Sequence, residues 1–312
     1  MTALRKPRAT AKILDGKALA KTLLDRLPPR AAALTDQRGE APLLAIVAIG
    51  ADSPSEAYLK TKLQACRSVG IETSVHSLPR ATTEAEAFHV IDDLAGNLQV
   101  DGILIEMPVP DPLDPRRLVD HIPPEKDVEG VTERGLGRLF AAKSAVDIER
   151  SGVFVPATAA AIVALIQEAG IDPRGKLAAV IGRSNIVGKP TAHLLSCLDA
   201  TVTLCHSKTP DLAAQLKRAD IVVCATGKPG LVTGRMLKRG VVVIDAGVTY
   251  QGERVLGDAD LESVRKVASA VTPVPGGVGP MTTACLLTNT VLAAERRTLA
   301  HGLLLPKERR RA

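Results

Sequence analysis

Short apolar runs of strand length alternate along this chain with helix-like segments, and the alternation occurs twice. The first set is "LLAIVAI" (43–49), "ETSVHSL" (72–78) and "VDGILIEMPVP" (100–110), the last meeting a proline-rich stop. Between them lie "PSEAYLKTKLQACRSVG" (54–70) and "TEAEAFHVIDDLAG" (83–96), which read as helices. Ser53 or Ser55 offers the first helix a cap, and Gly70 offers it a stop. The second set opens with a helix, "ATAAAIVALIQEAG" (157–170). It continues as "KLAAVIG" (176–182), "ATVTLCH" (200–206), "DIVVCATG" (220–227) and "GVVVIDAG" (240–247). "GKPTAHLLSCL" (188–198) and "TPDLAAQLKRA" (209–219) are its intervening helices, and "GPMTTACLLTNTVLAAERRTLA" (279–300) closes the chain as a long one. Strands that alternate with helices build parallel sheets, because a parallel neighbour needs a crossover long enough to hold a helix. The expected fold class is therefore α/β, in two domains, each a mainly parallel sheet flanked by helices. Between residues 122 and 155 the pattern loosens into turn residues and mixed charge, which places the junction there.

Composition fits this reading. Tryptophan is absent, and two tyrosines and three phenylalanines are the only aromatics, so the cores are built from Ala, Val, Leu and Ile. So few rings leave no stacking platform for nucleic acid. The net charge of +6 is modest, and part of it sits in "LRKPRATAK" (4–12) and "PKERRRA" (306–312), which read as solvated ends. The cysteines are Cys66, Cys197, Cys205, Cys224 and Cys285, odd in number and without C-x-x-C spacing. That pattern points to a reducing compartment, the cytoplasm, with neither disulfides nor a metal site. No apolar run is long enough to cross a bilayer, and no apolar stretch follows the basic start, so neither a membrane nor a secretory signal is expected.

Two glycine clusters carry the chemistry. "VIGRSNIVGKP" (180–190) joins a strand to a helix, whose free N–H groups and positive dipole end suit a phosphate. Gly182 allows the sharp turn and Gly188 a close approach, although the spacing departs from G-x-G-x-x-G and also fits an ordinary strand–helix turn. The next strand ends in "CHSKT" (205–209), where a dinucleotide fold that binds NAD carries an acid for the ribose hydroxyls. Here His206, Ser207 and Lys208 stand there instead, and Arg183 follows the first glycine. Cations and a hydroxyl suit a ribose phosphate, so the implied cofactor is NADP, on a Rossmann-type second domain. The other cluster, "TPVPGGVGPMTTA" (272–284), reads as a stiff loop closing on a ligand, or as a tight connector.

One tyrosine, Tyr58, stands four residues before Lys62, on one face of its helix. Alone the pair fits a surface helix. In company with "DGILIEMPVP", "PEKDVEG", "IGRSNIVGKP", "TVTLCHSKT", "ADIVVCATGKPGLVTG" and "TPVPGGVGPMTTACLLTNTV", in this order, it resembles a known family. That family is the bifunctional methylenetetrahydrofolate dehydrogenase/methenyltetrahydrofolate cyclohydrolases, often called FolD. The resemblance spans about residue 13 to 296.

The resemblance implies a folate-binding catalytic domain at 1–150, an NADP-binding domain at 151–279, and helix 280–300 packing back onto the first. It implies oxidation of methylenetetrahydrofolate by NADP, then hydrolysis of the methenyl product to formyltetrahydrofolate, in a homodimer. Lys62, Tyr58 and Glu106 fall at catalytic positions, Lys62 as the proton carrier at the one-carbon centre. Tyr58, Glu129, Pro275, Gly276 and Gly277 fall at folate positions. Gly182, Arg183, Ser184, Ile186, Ser207, Thr226, Gly227, Gly247 and Val248 fall at NADP positions.

Two residues depart from the family's pattern: Glu106 stands where it has Gln, and Glu129 where it has Asp. Pro156-Ala157-Thr158-Ala159 replaces P-C-T-P, the preceding segment is longer than usual, and Pro28 and Pro29 interrupt the first helix. A carboxylate beside Lys62 favours the ammonium, the wrong form for a base. Two other readings stay open: a dehydrogenase-only paralogue acting on a folate or modified pterin, and a catalytically silent pterin- or NADP-binding protein.

Overall fold

A computed structural model describes residues 10–50, 53–252 and 254–300, with backbone alone at 53–58. In chain order come β1 (Lys12–Ile13), α1 (Gly16–Leu24), α2 (Leu27–Arg38), β2 (Leu43–Ile49), α3 (Ser53–Ser68), β3 (Glu72–Leu78), α4 (Glu84–Gly96) and β4 (Gly102–Ile105). Four helices follow, α5 (Pro115–Asp120), α6 (Glu133–Ala141), α7 (Ala145–Ser151) and α8 (Ala157–Glu168). Then come β5 (Leu177–Ile181), α9 (Gly188–Cys197), β6 (Thr201–Cys205), α10 (Leu212–Leu216), β7 (Ile221–Cys224) and β8 (Val242–Asp245). The chain ends with β9 (Thr249–Gln251), β10 (Arg254–Leu256), α11 (Leu261–Val264), β11 (Ala270–Val271) and α12 (Val278–Ala300).

The chain forms two compact units. One holds a three-stranded parallel sheet in the order β3-β2-β4. Its central strand, β2, is buried from Leu44 to Ile49, as a strand covered on both faces must be. Ala45, Val47 and Ile49 on one face of β2 join Ile103 and Ile105 of β4 in a core with Ile91 and Leu94 of α4. Thr83 caps α4 through a capping box with Glu86. At the other end of α4, the buried Lys126 Nζ donates to the carbonyls of Leu94, Ala95 and Asn97. Pro28 and Pro29 lie in the first turn of α2, where proline is tolerated, and the chain is not helical between Leu24 and Leu27.

The other unit holds a six-stranded parallel sheet in the order β1-β11-β8-β7-β5-β6. Alternate residues Ala179 and Ile181, Val222 and Cys224, Val243 and Val271 share one buried face. The order reverses at β5, where β6 is added on one side and β7 on the other. That reversal is a topological switch point, the place where doubly wound sheets bind ligands.

The sequence reading needs two corrections. The stretch 122–155 is not loose, since α6 and α7 lie there; α6 buries only Gly135, Leu136 and Leu139, too short a face to show a period. Residues 1–150 are not one domain either. β1 pairs in parallel with β11 in the six-stranded sheet, and residues 10–19 and 142–150 belong to that unit. A two-residue strand carries no periodic signal. Residues 283–300 group with the three-stranded unit, where Arg297 binds Asp101 and Asn289 donates to the carbonyl of Val128.

Candidate active site

Lys62 rises from the third turn of α3 and meets Glu106, the residue just after β4. Lys62 Nζ donates to Glu106 Oε2 at 2.6 Å, and the two residues are 7% and 6% exposed. The backbone N–H of Glu106 donates to the carbonyl of Val47, adding a further rung between β4 and β2 that fixes where the carboxylate leaves the sheet. A buried ion pair this short is held only where the surrounding fold dictates it. Tyr58, one turn earlier on α3, has its side chain outside the described residues.

Glu129 joins this pair from a turn built around Asp127. The Asp127 carboxylate accepts from the N–H groups of Gly130 (2.9 Å) and Thr132 (2.8 Å). Gly130 has φ +72°, and a Cβ there would lie 2.5 Å from the carbonyl oxygen of Phe154, so only glycine closes the turn. Asn289 Nδ2 holds the carbonyl of Val128, and the Ala157 N–H holds that of Glu129. Glu129 keeps some exposed surface, yet protein surrounds its carboxyl. Burial pushes that carboxyl up to about 7, against the pull of Lys62 and with further upward pressure from Asp127 and Glu106. Lys62, Glu106 and Glu129 therefore form one electrostatic cluster, in which a carboxyl titrates near neutrality.

In the six-stranded unit, the glycine loop leaves β5 at the switch point. Gly182 has φ +118°, and a Cβ on it would lie 2.1 Å from the carbonyl oxygen of Ala225. A Cβ on Gly188 would lie 2.0 Å from the carbonyl oxygen of Gly182. Ser184 Oγ accepts from the N–H of Val187 and Gly188, tying the loop onto the start of α9. Because Ile181 is in register with Cys205, Arg183 and Ser207 emerge together, two residues past paired strand ends. Both are exposed, and Arg183 has no ion pair among the described residues. His206 is half-buried and Lys208 exposed beside them.

Thr226 and Gly227 follow β7, and Gly247 and Val248 follow β8. Asp258, which the sequence reading missed, organises both turns. It accepts from the N–H of Thr226 (2.6 Å), from the Thr226 hydroxyl (2.8 Å) and from the N–H of Lys228 (2.7 Å). A Cβ on Gly247 would lie 2.2 Å from the Asp258 carboxylate. Asp245, also missed, accepts from the N–H groups of Gly247, Asp258 and Ala259, while burial pushes its carboxyl up to about 6. Their one visible signal was an aspartate close to a glycine at each strand end. Ile186 and Val248, each 50% exposed, present apolar surface beside these turns. Pro275, Gly276 and Gly277 lie in the turn before α12; Gly276 has φ +106°, and a Cβ on Gly16 would lie 1.8 Å from the carbonyl oxygen of Gly277. The loop after β5 is closed by backbone contacts that leave no room for a Cβ at Gly182 or Gly188.

A glycine loop at the switch point of a doubly wound sheet makes this a dinucleotide-binding α/β protein. Known sequences narrow the class: the chain belongs to the tetrahydrofolate dehydrogenase/cyclohydrolase family, whose catalytic domain matches residues 14–129 and whose NAD(P)-binding domain matches residues 156–298. It is 46% identical over 287 residues to the bifunctional protein FolD of Moorella thermoacetica, covering 92% of this chain and 99% of that one. Among solved structures it resembles the bifunctional FolD enzyme of Campylobacter jejuni, with a TM-score of 0.86 at 37% identity over 92% of this chain and 99% of that one. The Trypanosoma brucei methylenetetrahydrofolate dehydrogenase-cyclohydrolase, solved with NADP and an inhibitor, superposes with a TM-score of 0.85 at 34% identity, covering 92% and 98%.

Proposed function

We propose that this protein oxidises methylenetetrahydrofolate with NADP and hydrolyses the methenyl product to formyltetrahydrofolate. The observation that carries the reading is the buried Lys62–Glu106 pair, with Glu129 beside it, in a chain of this family. NADP, when bound, accepts a hydride from the one-carbon bridge. Gly182, Ser184, Ile186, Thr226, Gly227, Gly247 and Val248 hold the dinucleotide, and Arg183 and Ser207 bind its ribose phosphate. Glu129 accepts N–H donors from the pterin, Tyr58 packs along the folate, and Pro275, Gly276 and Gly277 bear on the same ligand.

Oxidation needs placement above all, because the folate nitrogen's lone pair expels the hydride. Hydrolysis needs more: water adds to the methenyl carbon, a proton leaves that water, and a proton reaches the ring nitrogen as the C–N bond opens. Lys62 is the proton carrier for that step. The Lys62 ammonium is tied to the Glu106 carboxylate at 2.6 Å, which slows hydrolysis relative to oxidation. This pairing is also what favours the second reading, a dehydrogenase with a weak cyclohydrolase.

An absorbance assay with methylenetetrahydrofolate and NADP tests the first step, and decay of methenyltetrahydrofolate tests the second. Lys62→Met keeps the apolar stem and removes the proton carrier. Its hydrolysis is expected to collapse while oxidation survives in part; equal loss in both steps would assign Lys62 to binding instead. The five unpaired, buried cysteines support a cytoplasmic setting. There the product supplies formyl groups to one-carbon metabolism, including purine biosynthesis, and the protein works as a homodimer through the six-stranded unit. Light scattering that returned one chain's mass would remove the dimer.

A further inference from the structure

Strand register lays out a row along the carboxyl edge of the six-stranded sheet. Ile181 pairs with Cys205 on one side and with Cys224 on the other, and Cys224 pairs with Asp245. Two residues past these paired ends stand Ser207 after β6, Arg183 after β5, Thr226 after β7 and Gly247 after β8. The paired ends span about 14 Å, at about 4.8 Å per strand. Ser207 and Arg183 suit a ribose phosphate at one end of the row, and the glycine loop leaves β5 inside it. The other half of a dinucleotide laid along the row falls on Thr226 and Gly247.

Asp258 stands against both of those residues. A Cβ on Gly247 would lie 2.2 Å from its carboxylate, which accepts from the Lys228 N–H on Oδ1 and from the Thr226 N–H and hydroxyl on Oδ2. The Asp258 N–H donates to Asp245 at 3.1 Å, so the carboxylate is itself held in place. Asp258 is 0% exposed and has no ion pair among the described residues. Burying a carboxylate without a cation is costly, and an amide or a hydroxyl would bury more easily. A carboxylate differs from both in that it only accepts. The hydrogen between the two side chains therefore comes from Thr226, whose oxygen is left with lone pairs alone to offer. Thr226 is half-buried, and its hydroxyl makes no other hydrogen bond among the described residues.

We propose that Asp258 is a positioning residue for the cofactor: by taking the hydrogen of the Thr226 hydroxyl, it makes that oxygen a fixed acceptor for an N–H or O–H donor on the nicotinamide half of NADP. The inference rests on the cofactor reading above and adds the half of the cofactor that Thr226 meets and the direction of the hydrogen bond. The donor is the carboxamide N–H or a ribose hydroxyl.

The test reads binding, by calorimetric titration of the full-length protein with three probes. They are NADP, its acetylpyridine analogue, in which a methyl replaces the carboxamide nitrogen, and the adenosine bisphosphate that forms the other half of NADP. Thr226→Val is expected to weaken NADP about two- to tenfold, the range of one neutral hydrogen bond, and to leave the bisphosphate unchanged. Thr226→Ser keeps the hydroxyl and is expected to bind as wild type does. Asp258→Asn, whose amide can give Thr226 a hydrogen, is expected to show the same selective loss, with melting of the unliganded protein reporting its fold. If wild type binds the analogue as weakly as Thr226→Val binds NADP, the donor is the carboxamide. If wild type binds both alike and Thr226→Val weakens both, the donor is a ribose hydroxyl. Unchanged NADP affinity in Thr226→Val overturns the proposal, as does an equal loss for the bisphosphate or wild-type affinity in a folded Asp258→Asn. Where Asp258→Asn does not fold, the two Thr226 variants decide. A wild type that binds neither NADP nor the bisphosphate removes the cofactor reading instead.

Discussion

Glu129 is a carboxyl poised where its protonation matters. Below about pH 7 it keeps its proton; above, it is a carboxylate able to accept two pterin N–H groups. KM for the folate is therefore expected to fall as pH rises through about 7, and Glu129→Gln to flatten that profile. Stability runs the other way. Folding raises this carboxyl above its ordinary value near 4.5, so its contribution is complete below that pH and is lost as pH climbs through about 7. Melting of the unliganded protein above pH 7 is expected to be higher in Glu129→Gln than in wild type. Glu106 is one of the charges that push Glu129 up, so Glu106→Gln should move the inflection in KM to lower pH. The same change frees Lys62 from its carboxylate and should raise the ratio of hydrolysis to oxidation at neutral pH by about tenfold, or roughly 1.4 kcal/mol. An unchanged ratio, measured on both steps in one preparation, would show that Glu106 serves some other purpose. The motifs around Lys62, Glu106 and Glu129 single these three residues out in the sequence. The shared electrostatics were not legible there, because α3, the end of β4 and the Asp127 turn meet only after folding.

At the scale of elements, the strands of four or more residues and most helices of ten or more were legible because burial on a strand or a helix face repeats with a fixed period. β2, β4, β5, β7 and β8 stand where their apolar runs are. β1 and β11, with two residues each, and the short helices α5 to α7 were not legible, since nothing so short shows a period. The β5–α9 loop was legible through its glycines, whereas Asp245 and Asp258, which hold the neighbouring turns, were not: their role depends on which N–H groups the fold turns toward them. Arg183 tests the loop. Exposed at the end of β5 beside Ser207, it is expected to contribute about tenfold to NADP affinity, toward the lower end of charge-assisted contacts. Arg183→Ala should raise KM for NADP by that factor and leave NAD little altered; equal weakening for both cofactors would place Arg183 away from the ribose phosphate.

At the scale of the whole chain, a buried carboxylate ties distant segments together. Asp101, 2% exposed, accepts from Arg38 at 2.8 and 3.1 Å, from Arg297 at 2.7 Å and from the Leu43 N–H at 2.9 Å. It joins the end of α2, the start of β2 and the last turns of α12 within the three-stranded unit. Asp101→Asn leaves two guanidinium groups facing a neutral amide and is expected to cost about 3–5 kcal/mol, read as a lower denaturant midpoint. None of these partnerships was legible in the sequence, since 196 residues separate Asp101 from Arg297. The path of the chain has a further consequence. Each unit takes its residues from separate stretches: β1 precedes one unit and completes the sheet of the other, while most of α12 follows the six strands and groups with the three. A gene cut at codon 150 would hand β1 to one product and its neighbour β11 to the other. The same cut would part Asp101 from Arg297 and Val128 from Asn289. Two separate genes could not share out the two activities as free-standing modules, and recombination can pass this pair of units on only as a whole.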